Sequence, residues 1–479
     1  MTMNKLERMS SVDTAWLRMD RRANLMMICG VMVFREPLAY ERLRQVLAER
    51  FASFHRFRQR PVQQAALSLW EDDGEFDIDC HLHRVALPGK ADTAELQRYA
   101  SDLMGTPLDG LKPMWEYHLV ENFEGGSALI VRIHHCYADG IALIHVMLSM
   151  CDTHPDAAPP EAEERPQAPS DPFSKLSKPI ANAMQTALKF GQAAVEKGME
   201  IWADPNRLAA YGLQGAGFAQ EAMTLLTMGQ DSTTRFKGKP GPIKRVAWAE
   251  PIALEEVKAV GKALGCSVND VLLASVAGAL RRYLEDKGDE VDGVMIRALV
   301  PVNLRPAEQA KNLGNYFGLV FLPLPVGIEN PLARLYAVRQ AMLDLKGSQQ
   351  PVLALALLAA SGMAPKLVQD QLLDTLSKNA SAVMTNVPGP QQPMYLAGAK
   401  IDSMMFWVPQ SGNIGMGVSI LSYNNHVHFG LVTDRKLVPD PEKIIAHFQP
   451  EFSQLLYATL LAPWDGELQP DDLDRLAEA

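Results

Sequence analysis

The apolar positions of this chain change period repeatedly, and each change marks a boundary between elements. Met27–Phe34 is a short, almost unbroken apolar run, the signature of a buried strand. Tyr40–Phe51 spaces its apolar residues three and four apart, which predicts an amphipathic helix. Trp115–Val120 and Ala128–Ile133 read as two strands joined through Glu121–Ser127, a turn that contains Gly125-Gly126. Asp139–Met150 then reads as a helix entered directly from the second strand. Further along, Ile296–Val302, Tyr316–Pro323, Ala382–Asn386, Gly415–Ser422 and Val427–Thr433 predict strands. Leu254–Leu264, Val268–Leu284, Pro331–Leu345 and Val352–Gly362 predict helices.

One stretch breaks this alternation. Asp152–Pro172 is rich in Pro, Ala and Glu and reads as an exposed linker. Helical sequence follows to about Gly229, and Lys237–Pro242 is a second breaker-rich stretch. Cutting the chain there gives an N-terminal domain over 1–151, a linker with connecting helices over 152–242, and a C-terminal domain over 243–479. Both domains mix strand and helix in similar proportion, so the fold class is α/β (α+β).

Length supports that division, because 479 residues exceed one ordinary core. Hydrophobic residues at 47% and charged residues at 21% describe a folded globular protein. A net charge of -10 argues against nucleic acid as the main partner, since phosphate binding needs a concentrated basic surface. The five cysteines (Cys29, Cys80, Cys136, Cys151, Cys266) are scattered and form no CxxC pair. They indicate neither a zinc site nor a disulfide framework and fit reduced thiols in the cytoplasm. Met1–Ser11 lacks a signal-peptide core, and no uncharged apolar run reaches transmembrane length. Work at a membrane or lipid inclusion would therefore be peripheral. Lys175–Met199 is the candidate surface for it, with Leu176, Ile180, Met184 and Leu188 at i+4 spacing. Its bland alternative is a helix packed on its own protein.

The chemistry concentrates in His134-His135-Cys136-Tyr137-Ala138-Asp139-Gly140, which follows the apolar run ALIVRI. A short loop leaving a rigid strand is a common place for functional side chains. A histidine there can act as a general base near neutral pH. Neighbouring strand residues point to opposite faces. His135 shares its face with Leu129, Val131 and Ile133, whereas His134 shares one with Arg132. The two histidines therefore do not converge on one metal, and His135 is the one suited to a greasy substrate. Gly140 permits close backbone approach. Read without chemistry, the same residues end a strand and N-cap a helix through Asp139.

The sequence resembles a known family at this point. HHCYADG matches the HHxxxDG signature of coenzyme-A-dependent acyltransferases, and its surroundings resemble the bacterial wax ester synthase/diacylglycerol acyltransferase family. The opening SSVDTAWLRMDRRANLMMICGVMVF is similar to that family's N-terminal strand region, and PLDGLKPMWE to its Pro-Leu-Trp motif, with Met114 in place of leucine. Ser267-Val268-Asn269-Asp270 matches its Asn-Asp motif. Val300-Pro301-Val302-Asn303-Leu304-Arg305, Asn312-Leu313-Gly314-Asn315 and Asn386-Val387-Pro388-Gly389-Pro390 resemble further C-terminal motifs.

The resemblance implies two chloramphenicol-acetyltransferase-like domains around a central tunnel. It implies transfer of a long-chain acyl group from acyl-CoA to a fatty alcohol or diacylglycerol. No cofactor is implied, acyl-CoA being the substrate. His135 would be the catalytic base with His134 supporting it. Asp139 would be structural and paired with an arginine of the other domain, Arg305 or Arg297. Asn269 would be an oxyanion donor beside Asp270, although Ser267-x-x-Asp270 also reads as a capping box. Ala356, Ala359, Ala360 and Met363 fall on one stripe of an all-apolar helix and are the candidate wall of the chain pocket, or else a close helix contact. The alternatives are an acyltransferase of the same fold acting on another alcohol, and a non-catalytic acyl-CoA- or lipid-binding protein.

Overall fold

The computed structural model describes residues 6–64, 67–155, 228–305, 313–346, 348 and 350–461. The Asp152–Pro172 linker lies almost wholly outside these residues, and the helix expected over Lys175–Met199 lies outside them entirely.

Two seven-stranded sheets organise the chain. The first orders its strands Leu82–Val85, Trp115–Phe123, Gly126–His134, Met27–Phe34, Ala399–Trp407, Tyr395–Leu396 and Cys151–Asp152. The second runs Ile252–Ala253, His426–Asp434, Met416–Tyr423, Ala382–Pro388, Ile296–Asn303 and Phe317–Leu324, with Lys244–Trp248 on the other part of His426–Asp434. Both contain parallel and antiparallel pairs.

The elements expected from periodicity recur with shifts of a few residues. Trp115–Phe123 and Gly126–His134 run further towards each other than expected, so the hairpin turns tightly at Glu124 and Gly125, both at positive φ. Tyr40–Phe51 is one helical stretch whose second part winds as a π-helix. One assignment changes. The opening resembled a strand region, but Ser11–Met19 is a helix, N-capped by the Ser10 hydroxyl, and the strand begins only at Met27.

The two halves drawn at residues 151 and 243 share a sheet. Ala399–Trp407, from the C-terminal half, pairs antiparallel with Met27–Phe34 and so completes the N-terminal sheet. An apolar strand leaves its own sheet because Met404, Met405 and Trp407 find burial beside the N-terminal strands. The crossing strand holds the halves in fixed register. The seam between them is where the HHxxxDG loop lies.

Candidate active site

The Gly126–His134 strand ends at His134, and His135 opens the turn, its N–H donating to the Met26 carbonyl at 2.7 Å. Each histidine therefore has its own surroundings. His134 is buried, accepts from the Cys136 N–H at Nδ1 (3.2 Å), and lies with Nε2 3.3 Å from Asp20 Oδ2, within ion-pair reach but off the hydrogen-bond direction. His135 is buried too, but it is on the wall of a largely apolar cavity formed by both halves. Trp16 covers one face of its ring, stacked at a centroid distance of 4.0 Å and an interplanar angle of 15°. Phe317 approaches at 5.6 Å.

Burial pushes the His135 imidazole down to about 4, and the nearby Asp139 charge opposes that shift. The ring is therefore neutral at neutral pH and able to accept a proton. Its Nδ1 is buried without a hydrogen-bond partner, which leaves Nε2 as the nitrogen for the cavity. Cys136 beside it is fully buried, and burial raises its thiol well above the usual range, so it is no nucleophile.

Asp139 performs two structural tasks. Its Oδ1 accepts from the Ala142 N–H at 2.9 Å and caps the Gly140–Met150 helix. Its Oδ2 accepts from Arg305 Nη2 at 2.7 Å and from the Tyr316 N–H at 2.9 Å. The partner is thus Arg305. Arg297 is turned elsewhere, donating to the Gly229 carbonyl at 2.6 Å. Arg305 Nη2 also donates to the Gly314 carbonyl, which in turn accepts from the Asp139 N–H. Gly314 sits at φ +111°, a conformation L side chains rarely adopt, and a Cβ there would press on the Tyr316 ring at 3.3 Å. Asn315 completes the clasp, its amide donating to the His135 carbonyl at 2.9 Å and to Asp13 Oδ1 at 2.8 Å.

Six of the expected site residues lie off the cavity wall. Asp270 belongs to a capping box with Ser267 and is not on the cavity wall. Asn269 is not on that wall either. Its Oδ1 accepts from Asn386 at 2.7 Å, and Asn386 is the wall residue. Ala356, Ala359 and Ala360 are half-buried and Met363 is 45% exposed. The wall is instead formed by Ala354, Leu357 and Leu358. That face is two positions back, about 200° round the helix. The reason is close packing: Gly362 meets the Ser11–Met19 helix so tightly that a Cβ would fall 1.8 Å from the Ser11 carbonyl oxygen. That contact fixes the helix's rotation.

A second apolar cavity, lined by Leu143, Met147, Met150, Gly389, Pro390 and Met404 among others, shares Gly140 and Phe406 with the first. A Cβ added at Gly140 would meet open space.

The profile of the wax ester synthase/diacylglycerol acyltransferase catalytic domain matches residues 9–272, and that of the WS/DGAT C-terminal domain matches residues 313–456. The chain belongs to the wax ester synthase/diacylglycerol acyltransferase family. A putative diacylglycerol O-acyltransferase of Mycobacterium bovis is 29% identical over 92% of this chain and 97% of its own length. The wax ester synthase/diacylglycerol acyltransferase of Marinobacter aquaeolei shares the fold, with a TM-score of 0.66 at 22% identity over 95% of this chain and 100% of that one. A trichothecene 15-O-acetyltransferase of Fusarium sporotrichioides shares it more distantly, with a TM-score of 0.59 at 11% identity over 94% of this chain and 95% of that one. As a member of this family the chain is an acyltransferase, acting on acyl-CoA and an acyl acceptor. Among the described residues, no single helix is long and apolar enough to cross a membrane.

Proposed function

We propose that this wax ester synthase/diacylglycerol acyltransferase moves a long-chain acyl group directly from acyl-CoA to the hydroxyl of a fatty alcohol or diacylglycerol, with His135 as general base. The observation that carries the reading is a neutral, buried imidazole on the wall of an apolar cavity that shares Gly140 and Phe406 with a second apolar cavity. An ester of two long chains needs two apolar seats meeting at one base. His135 Nε2 takes the hydroxyl proton as the oxygen attacks the thioester carbonyl. The imidazolium then gives that proton to the departing CoA thiolate, so the base is regenerated without a cofactor. His134 supports the loop, and Asp139 with Arg305 holds it. Asn269 acts at one remove, orienting Asn386 on the wall. The test is to incubate the protein with palmitoyl-CoA and either hexadecanol or dioleoylglycerol. CoA release matched by palmityl palmitate or palmitoyl-dioleoylglycerol supports the reading; binding of palmitoyl-CoA without ester from any alcohol would leave a lipid-binding protein.

Chain length should be set where the walls are. Leu358→Trp is expected to shift preference towards shorter chains, since each excluded methylene loses roughly 0.8 kcal/mol of burial. Ala360→Ile should leave the profile unchanged, because that side chain faces away. Competition among alcohols and acyl-CoAs of graded length checks both.

Peripheral contact with a lipid surface is part of this proposal. Met363, Leu367 (77% exposed) and Val368 project from the corner between Gln350–Met363 and Lys366–Ser377. The inner face of the second helix, Leu372, Leu373 and Leu376, lines the cavity, so the corner joins a wet apolar patch to the route of an insoluble acceptor. Leu367→Glu with Val368→Glu should reduce flotation with phosphatidylglycerol vesicles. Unchanged flotation would remove this corner from the proposal.

A further inference from the structure

The base is stabilised in an unusual direction. Among the described residues no carboxylate hydrogen-bonds to either ring nitrogen of His135. Asp139 is engaged by Ala142, Tyr316 and Arg305, and Asp13 by Asn315. Yet the reaction proposed above requires His135 to carry a positive charge between proton uptake and release. A charge formed in a buried, apolar site costs several kcal/mol unless something nearby answers it.

The Asp139 charge acts in that sense without touching the ring, and Trp16 is the group in contact with it. Its indole lies flat on the imidazole at 4.0 Å, so the electron-rich face meets the whole ring. Trp16 is itself 8% exposed and lines the same cavity, which keeps water from screening the contact. The helix that carries it is held from several sides. Ser10 caps it, Asn315 grips Asp13, Gln369 donates to the Ala15 carbonyl at 3.0 Å, and Gly362 packs against its first turn. Asn315 also donates to the His135 carbonyl, so one amide fixes both partners of the stack.

We infer that Trp16 is a positioning residue for acyl transfer, its indole face holding the His135 ring in register and stabilising the imidazolium that forms when the alcohol is deprotonated. This rests on the acyl-transfer reading given above. The interaction strengthens as charge develops, so it lowers the barrier rather than tightening ground-state binding. A desolvated cation–π contact of this kind corresponds to a rate factor on the order of tenfold.

The experiment replaces Trp16 with tryptophans carrying one, two and three ring fluorines, incorporated at that codon alone, in the full-length enzyme. Fluorine withdraws density from the indole face with little change in size. Initial rates are measured with palmitoyl-CoA and hexadecanol, beside a thermal melt. The expected result is a stepwise fall in kcat with fluorine number, on the order of tenfold across the series, at constant melting temperature and constant KM for palmitoyl-CoA. Trp16→Leu should lose at least as much, and Trp16→Phe should recover part of it. A flat kcat across the fluorinated series, in an enzyme that makes ester, would overturn the role of Trp16 and leave the acyl-transfer reading intact. Absence of ester from the unsubstituted protein would instead sink that reading itself.

Discussion

His135→Ala is expected to lower kcat by at least roughly 10²-fold while the protein remains folded, because general-base catalysis contributes roughly 10²–10⁴-fold. The side chain removed faces a cavity, and Met26 and Asn315 still hold the backbone N–H and carbonyl at that position. The loop should therefore keep its shape. His134→Ala removes a ring that sits off the cavity between Cys136 and Asp20, and should cost less in kcat. Equal thermal melts with a larger kcat loss at His134 would reverse the assignment. The pH dependence carries the same argument. Burial holds His135 at about 4, so its neutral form persists as pH falls through 6.5, where a solvent-exposed histidine would protonate. The kcat/KM for acyl transfer should therefore stay level from pH 7 to about pH 5 and fall only below that.

Asp139→Ala should damage folding and activity together. Asp139 and Arg305 are both buried, and removing one partner strands the other's charge at a cost of about 3–5 kcal/mol. Loss of the helix cap adds about 1 kcal/mol. That is a large part of a typical stability of about 5–15 kcal/mol. The pair also joins the two halves of the chain, so its loss should loosen the cavity. Combining Asp139→Ala with Arg305→Met should be less destabilising than the sum of the single changes, because the stranded charge is gone. Additive losses in denaturant melts, or a normally stable Asp139→Ala, would remove the structural role.

The features legible in the sequence were those set by local geometry. A strand that ends at paired histidines, an aspartate capping the next helix and a capping box at Ser267 all follow from neighbours within a few residues. Features set by packing were not legible. Trp16 lay in the opening stretch that resembled a strand region, and nothing in its spacing places an indole on a histidine 119 positions later. Asn315 stood inside a recognised motif, but the two hydrogen bonds it donates, to Asp13 and to His135, exist only once both halves meet. The alanine stripe shows the limit most clearly. Helical period defines which residues share a face, and an apolar-all-round helix gives no further cue to which face meets the cavity. The close approach at Gly362 decided it. Ala399–Trp407 has an ordinary strand composition, so its crossing into the other half's sheet could not be read from its own residues.

Direct transfer at His135, without an acyl-enzyme, is the central claim, and rapid mixing tests it most directly. The enzyme is mixed in stoichiometric amount with palmitoyl-CoA, with and without hexadecanol, and both CoA thiol and intact-protein mass are followed. Direct transfer predicts that CoA appears only when the alcohol is present, with ester formed in equal amount and the protein mass unchanged throughout. A stoichiometric burst of CoA in the absence of alcohol, accompanied by palmitoylated protein, would contradict it.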